Sequence, residues 1–366
     1  MKKVFLFLTM TLFLMCILPG CNKKSNIEDD TYDIVNDKTV NISEPVGRVC
    51  FIDVGQADCI LIQSNGHNMM IDAGNQDDYE TIKSYLNQYN VNKLDYLILT
   101  HPHEDHIGSA PKLIENIPIN NIMMTNLTMN TVIYQNLLTS IEEANSQIII
   151  PKQGDSYELG EATFQILTDQ TIDWGEEDPN LWSIGVKVSF YKVSFVMCGD
   201  ADQLSEEEMM KSGLDLNADV LKLSHHGSRT ASSDDFLKKV NPQYAIISSG
   251  KNNKYGHPHQ ETIETLEKNN INYFRTDTVG TIIAETNGVT INWDKEISQE
   301  NNSNEQNFQD TNDTIQYIIN TKTKKFHLPN CQSVNDMSDD NKKEINDSYE
   351  NMINNGYSPC KNCLTN

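Results

Sequence analysis

Residues 100–108 read Thr-His-Pro-His-Glu-Asp-His-Ile-Gly, an H-x-H-x-D-H run that sets three imidazoles and a carboxylate within a few positions of one another. Imidazole and carboxylate are ligand types that suit zinc, iron and manganese, and a tight loop can aim several of them at one point. His101 and His103 can serve one ion, Asp105 and His106 a second. A merely solvated histidine-rich loop is the bland alternative, but it leaves unexplained the apolar run at 94–99 in front and Gly108 behind. Similar residues follow other apolar runs: Asp72 after Met69-Met70-Ile71, Asp200 after 195–199, and His225-His226-Gly227-Ser228 after 220–224. Ligands delivered from several strand ends converge on one edge of a sheet sandwich, where a bridged two-ion site can be built.

The elements that must present these residues are legible as alternating strand and helix signals. Val49-Cys50-Phe51-Ile52, Cys59-Ile60-Leu61-Ile62 and Met69-Met70-Ile71 are separated by glycine-containing turns, which predicts an antiparallel meander. Helical patterns cover 78–90, 109–116 and 131–145, each followed by an apolar run that can return to a sheet. Later strands are expected at 184–190, 193–198, 220–224 and 245–248, with a hairpin over 280–293 around Asn287-Gly288. The alternation predicts one α/β domain over residues 46–295. Residues 22–45 are polar and acidic and read as a flexible tether; residues 296–313 read as a second linker.

At the N-terminus Lys2-Lys3 precede an apolar stretch, 4–18, that is shorter than the roughly 20 residues of a bilayer span and fits a signal peptide. Leu18-Pro19-Gly20-Cys21 looks like a bacterial lipobox, which predicts a signal peptide over 1–21, lipidation of Cys21, and a protein anchored on the outer face of the cytoplasmic membrane. Ordinary secretion, with Cys21 a bystander, is the alternative. The net charge of −24 argues against broad electrostatic capture of nucleic acid or anionic lipid, so any polyanion must be held locally. Cys50, Cys59 and Cys198 lie in apolar strands and read as buried, and the eight cysteines suggest no disulfide framework.

The strand-end arrangement resembles the metallo-β-lactamase superfamily, metal-dependent hydrolases with an αββα four-layer sandwich. Within it the likeness is to the C-terminal domain of ComEC-type competence proteins, through Phe51-Ile52-Asp53-Val54-Gly55-Gln56-Ala57-Asp58, His225-His226-Gly227-Ser228-Arg229-Thr230 and Tyr255-Gly256-His257-Pro258-His259. Two features depart from the pattern. Ala57 stands where these domains usually carry glycine, and residues 178–183, where many relatives place a histidine, hold none. The resemblance and the chemistry together imply two divalent ions, zinc or manganese: His101 and His103 on the first, Asp105, His106 and His225 on the second, and Asp200 bridging. The implied nucleophile is a hydroxide held between the ions. Asp72 is expected to orient a ligand histidine rather than bind metal. His226 is the rival to His225, which is favoured. His257 can donate to a phosphate or leaving group, or simply sit with His259 in a turn before a helix starting near Gln260. Ser228, Arg229 and Thr230 are candidate substrate contacts, Arg229 as a phosphodiester grip.

Past the second linker, His327-x3-Cys331 and Cys360-x2-Cys363 have structural-zinc spacing, and fewer than about sixty residues need such a staple to fold. Residues 314–366 look like the small metal-binding domain of Ada-type DNA repair proteins, with His327 in place of a cysteine, so a structural or DNA-proximal role is implied and methyl transfer is not. The expectation for the whole is a two-metal phosphodiesterase acting on extracellular DNA. A hydrolase of a small ester, lactone or cell-envelope phosphodiester is the rival enzyme, and a non-catalytic DNA- or metal-binding lipoprotein the rival from another class. The sequence names no protein partner.

Overall fold

A computed structural model describes residues 32–35, 38–41, 44–296, 315–329, 331–335, 337–347, 352 and 355–360. The chain divides into two compact units, one comprising residues 1–271 and 275–295, the other 272–274 and 296–366. The first opens with a two-stranded antiparallel pair, β1 (Tyr32–Val35) and β2 (Lys38–Asn41). Within the 22–45 segment read as a flexible tether, Ile34, Val35, Thr39 and Val40 are β-branched and favour extended backbone.

One sheet of this unit has the order β17-β16-β3-β4-β5-β6-β7-β8. Its strands are β3 (Gly47–Phe51), β4 (Ile60–Ser64), β5 (His67–Ile71), β6 (Leu94–Ile98), β7 (Ile119–Met123), β8 (Gln147–Ile149), β16 (Ile282–Thr286) and β17 (Ile291–Trp293). From β17 to β5 neighbours are antiparallel, and from β5 to β8 they are parallel. The β4–β5 turn is set by Asn65 and Gly66, both at positive φ (46° and 80°), the requirement of a two-residue hairpin loop that follows the strand twist. Helices α1 (Tyr79–Gln88), α3 (Ala110–Asn116) and α4 (Val132–Glu143) cover one face, where Ile82, Leu86, Leu113 and Leu137 meet Leu61, Met70, Leu97 and Ile122.

The facing sheet repeats the plan. β9 (Ser156–Leu159), β10 (Ala162–Ile166), β11 (Val186–Phe190) and β12 (Val193–Met197) pair antiparallel, and β12, β13 (Val220–Lys222) and β14 (Tyr244–Ile247) pair parallel. Helices α5 (Gln203–Lys211), α6 (Asp234–Val240) and α7 (Gln260–Lys268) bury Met209, Phe236, Leu237, Val240, Ile263 and Leu266. β15 (Asn272–Arg275) and α8 (Thr276–Val279) precede β16 in the chain. The β9–β10 hairpin was not anticipated, because Ser156-Tyr157-Glu158-Leu159 carries a weak apolar alternation. The sheets stack through aromatic rings: Tyr96 on β6 meets Phe164 on β10 edge-on at 4.9 Å, and Tyr157 on β9 at 5.9 Å.

In the parallel half of each sheet the strands end at a common edge, and Asp72, Thr100-His101, Asp200, His225-His226 and Ser248 all follow carboxyl ends of those strands. Ligands of open α/β sheets bind at such edges.

The second unit forms a sheet of order β20-β18-β19-β21, from β18 (Ile315–Asn320), β19 (Lys325–His327), β20 (Lys342–Asp347) and β21 (Ser358–Pro359). Tyr317, Ile319, Phe326 and Met352 make its small core. Among the described residues no helix is long and apolar enough to cross a membrane.

At Gly47 there is no room for a side chain, since a Cβ would fall 2.0 Å from the Phe190 ring. Gly47→Ala should cost about 1–3 kcal/mol through overpacking. Adding Phe190→Leu should make the two changes strongly non-additive in urea unfolding; simple additivity would contradict the contact.

Candidate metal centre

The H-x-H-x-D-H run spans a turn and a short helix, α2 (Glu104–Ile107), with His103 as its extended N-cap. His106 therefore points inward and is fully buried. One oxygen of Asp72 accepts the Thr100 N–H at 2.8 Å; the other accepts Thr100 Oγ1 at 2.8 Å and lies 2.7 Å from His106 Nδ1. An ionised carboxylate only accepts, so a neutral His106 carries its proton on Nδ1 and leaves Nε2 as a lone pair. Thr100 Oγ1, having donated to Asp72, lies 3.2 Å from His101 Nδ1 and can accept from it, which leaves His101 Nε2 free of its proton, 2.9 Å from His103 Nδ1.

The second sheet supplies the other wall. Asp200 follows Gly199, where φ is +52° and a Cβ would lie 2.5 Å from Thr100 Oγ1, so only glycine lets the two strand ends approach this closely. His225, His226 and Gly227 are all left-handed (φ 52°, 54° and 81°), an uncommon conformation in which histidine is enriched. It turns His226 in and His225 outward. His226 Nδ1 lies 3.0 Å from the Ser248 carbonyl and must donate to it, which aims Nε2 at Asp105 Oδ2 (3.2 Å) and Asp200 Oδ2 (3.7 Å).

One ligand atom each from Asp105, His106, Asp200 and His226 lies within 4.8 Å of the others. Inside the set His106 Nε2 and Asp200 Oδ1 are buried without a hydrogen-bond partner, 3.3 Å apart. An unpaired buried polar atom costs about 1–3 kcal/mol, and a divalent cation satisfies both at once. Two imidazoles and two carboxylates fit zinc or manganese. Burial would lower the His106 imidazole, but Asp200 and Asp72 hold it well above its usual value; the same contest brings His226 to about 9, through Asp200, Asp105 and Asp58. Burial would raise the Asp200 carboxyl, yet His106 and His226 keep it well below the carboxylate range.

A family model of the metallo-β-lactamase superfamily matches residues 52–132. The chain has the metallo-β-lactamase fold. It is 29% identical over 254 residues to ComE operon protein 3 of Bacillus subtilis (strain 168), covering 64% of this chain and 32% of that one. It is 30% identical over 243 residues to competence protein ComA of Neisseria gonorrhoeae, covering 66% and 32%. The chain thus spans about a third of the length of these curated relatives. The metallo-β-lactamase fold protein YhfI from Bacillus subtilis superposes with a TM-score of 0.47 at 13% identity, over 66% of this chain and 100% of that one.

Within this metallo-β-lactamase fold the preference for His225 over His226 is reversed. His226 joins the buried cluster, whereas His225 sits on the rim, 28% exposed, its Nε2 3.9 Å from Asp200 and its Nδ1 near Asn180 (3.5 Å) and Thr230 (3.4 Å). Arg229 is not aimed into the site: its guanidinium bonds Glu261 at 2.7 Å on the exposed surface. Ser228 is buried and pairs with Thr230. His259 caps α7 and its Nδ1 accepts the Arg229 N–H. His257 lies with its ring 5.5 Å from that of His225; Gly250 N–H donates to Gln56 Oε1, so Gln56 Nε2 donates to His257 Nδ1 and leaves His257 Nε2 as the donor. Burial and the imidazoles of His225, His226 and His259 push His257 down to about 4, so it is neutral at pH 7.

Asp58 went unrecognised in the sequence, although it ends the Asp53 to Asp58 motif. Its carboxylate forms a fully buried ion pair with Lys222 of β13 and lies 3.5 Å from His226 Nδ1, while its backbone bonds the Asp105 carbonyl and the Gly74 N–H. Burial would raise this carboxyl, but Lys222 and then His226 hold it at about 2. Asp58 therefore ties the two sheets beneath the cluster. In the second unit, ligand atoms of His327, Cys331 and Cys360 also lie within 4.8 Å of one another, with the two sulfurs 4.0 Å apart. Cys363 and Cys21 lie outside the described residues.

Lys222→Met strands a buried carboxylate and should cost about 3–5 kcal/mol in denaturant unfolding; a loss under 1 kcal/mol would deny the pair its role. His226 also gives the metal-stripped protein a pH signature. Its pKa rises on folding from 6.5 to about 9, so its stabilisation is complete below pH 6.5 and is lost as pH climbs through about 9. The melting temperature of stripped protein should fall across that window. With Zn²⁺ present the trend should reverse, because ligation requires the deprotonated ring.

Proposed function

We propose that this chain is a divalent-metal hydrolase that cleaves phosphodiesters of nucleic acid outside the cell, held to the membrane by lipidated Cys21. The observation that carries the hydrolase reading is the pair of orphaned buried atoms, His106 Nε2 and Asp200 Oδ1, facing each other among Asp105 and His226. His101, His103 and Asp200 would hold a first ion, and Asp105, His106, His226 and Asp200 a second. Such ions supply Lewis acidity and lower the pKa of water toward neutrality. The chain's own groups set the rest. Asp72 and the Ser248 carbonyl keep protons on the Nδ1 atoms of His106 and His226, so that both Nε2 atoms stay available. His257 offers a neutral Nε2–H at the rim, suited to a developing negative charge on a phosphate or leaving oxygen. Nucleic acid as the substrate class rests on the ComEC-type likeness, with which a relative named as a competence protein agrees.

A second reading, a hydrolase of a small ester or cell-envelope phosphodiester, draws on the Arg229–Glu261 pair, which leaves that guanidinium engaged, and on the net charge of −24. A third, metal binding without catalysis, draws on Asn180 standing beside His225 in the segment that lacks a histidine.

Purified protein without its first 21 residues, incubated with single- or double-stranded DNA and Mn²⁺ or Zn²⁺, should release fragments, and Asp105→Ala with His106→Ala should lower the rate by at least about 10³-fold. Cleavage that survives both changes, or none with either metal, refutes the nuclease reading. A panel of chromogenic esters and phosphodiesters separates the rival enzyme by the bond cut. In cells, Cys21→Ala should move the protein from membrane to medium; continued membrane retention would refute the lipid anchor.

A further inference from the structure

The segment 250–259 departs from the acidic balance of the chain: Gly-Lys-Asn-Asn-Lys-Tyr-Gly-His-Pro-His carries two lysines and no acid. Lys251, Lys254 and Tyr255 are all exposed. Tyr255 is 55% exposed and is the one aromatic ring among the exposed large hydrophobic side chains of the described residues. Its backbone is nonetheless well held. Asn253 Oδ1 accepts the N–H groups of Tyr255 (3.1 Å) and His257 (3.0 Å), and Asn253 Nδ2 donates to the carbonyls of Gly250 and His257. Gln56 ties both ends of the loop together, through the Gly250 N–H and His257 Nδ1.

The rings form a file leading out of the site. His226 and His257 lie 6.3 Å apart at 28°, His257 and Tyr255 5.7 Å apart at 24°, and the Lys254 ammonium stands 4.9 Å from the Tyr255 centroid. A flat, exposed ring at the end of such a file, with cations beside it, matches a flat π-system attached to an anion. We propose that Tyr255, with Lys254 and Lys251, is a stacking platform for a base of single-stranded nucleic acid whose backbone runs past the metal centre. A duplex keeps its bases stacked on each other and cannot use the ring this way. The local cations also resolve how a chain of net charge −24 could hold a polyanion: the attraction is confined to one loop. This proposal rests on the nucleic-acid reading above.

The test uses the Asp105→Ala protein without its first 21 residues, so that binding is read without cleavage, and compares a labelled oligothymidylate with an abasic oligomer of equal length by fluorescence anisotropy. The platform predicts about tenfold tighter binding of the oligothymidylate. Tyr255→Ala should abolish that difference and Tyr255→Trp should keep it. Lys254→Ala should weaken both oligomers alike and flatten the salt dependence. Equal affinity for the two oligomers, or a difference that survives Tyr255→Ala, overturns the platform. So does Tyr255-dependent binding to anionic phosphatidylglycerol vesicles without base discrimination, which would assign the loop to the membrane surface. Hydrolysis of a chromogenic phosphodiester by the metal-loaded chain with Asp105 intact is read separately. If it occurs while base discrimination fails, the hydrolase stands and the platform falls; if discrimination occurs without hydrolysis, the platform belongs to a binding protein.

Discussion

The site depends first on one buried carboxylate. Asp72, at positive φ (59°) where β5 ends, accepts the Thr100 backbone and hydroxyl and faces His106 Nδ1. Two consequences follow from an acceptor that cannot donate. His106 must present Nε2 inward, and Thr100, having spent its hydroxyl proton on Asp72, can only accept from His101. A single group thus sets the tautomers of one ligand of each proposed ion, directly for one and through a hydroxyl for the other. Without Asp72 both imidazoles could rotate or exchange protons, and the lone pairs would no longer converge.

That arrangement belongs to one sheet alone, whereas the cluster needs both. The second sheet enters through close backbone approach and through charge. Gly199 admits Thr100 where any side chain would collide, and the buried Asp58–Lys222 pair spans from the loop before β4 to β13. Ion pairs this deep contribute little net stability after desolvation, but breaking one is costly, which makes them good at fixing position. The Asp58 backbone grips the Asp105 and Gly74 segments while its side chain reaches toward His226, so the ligands from the two sheets share one anchor.

How much of this could be read from sequence follows from the range of each interaction. The H-x-H-x-D-H cluster and the strand-end positions of Asp72, Asp200 and the His225-His226 pair were legible because each is local: an apolar run, then a chemical residue. The meander, the three helices of the first sheet and the 280–293 hairpin were legible for the same reason. The choice between His225 and His226 was not, since it turns on three successive residues adopting left-handed backbone. Alternation along β13 cannot reveal that. That Arg229 pairs with Glu261 was not legible either, because Glu261 lies on α7 and charge pairing across elements has no sequence spacing to betray it. Asp58 was not legible within the Phe51 to Asp58 motif, because its importance comes from Lys222 in the other sheet.

The same distances expose an asymmetry that bears on what the centre can do. Asp105, His106, Asp200 and His226 form one compact set drawn from both sheets, each imidazole locked by a partner on its other nitrogen. The first proposed position has His101 and His103 from one short loop, and the segment where a further imidazole is usual holds Asn180, which lies beside the partly exposed His225. A neutral amide is a weaker donor than imidazole for a borderline cation. The second position should therefore fill at lower metal concentration than the first. Weak protein ligation at the first need not oppose the proposed catalysis: a cation held by few protein donors would have coordination left for a substrate oxygen, while Asp105, His106, Asp200 and His226 would hold the other.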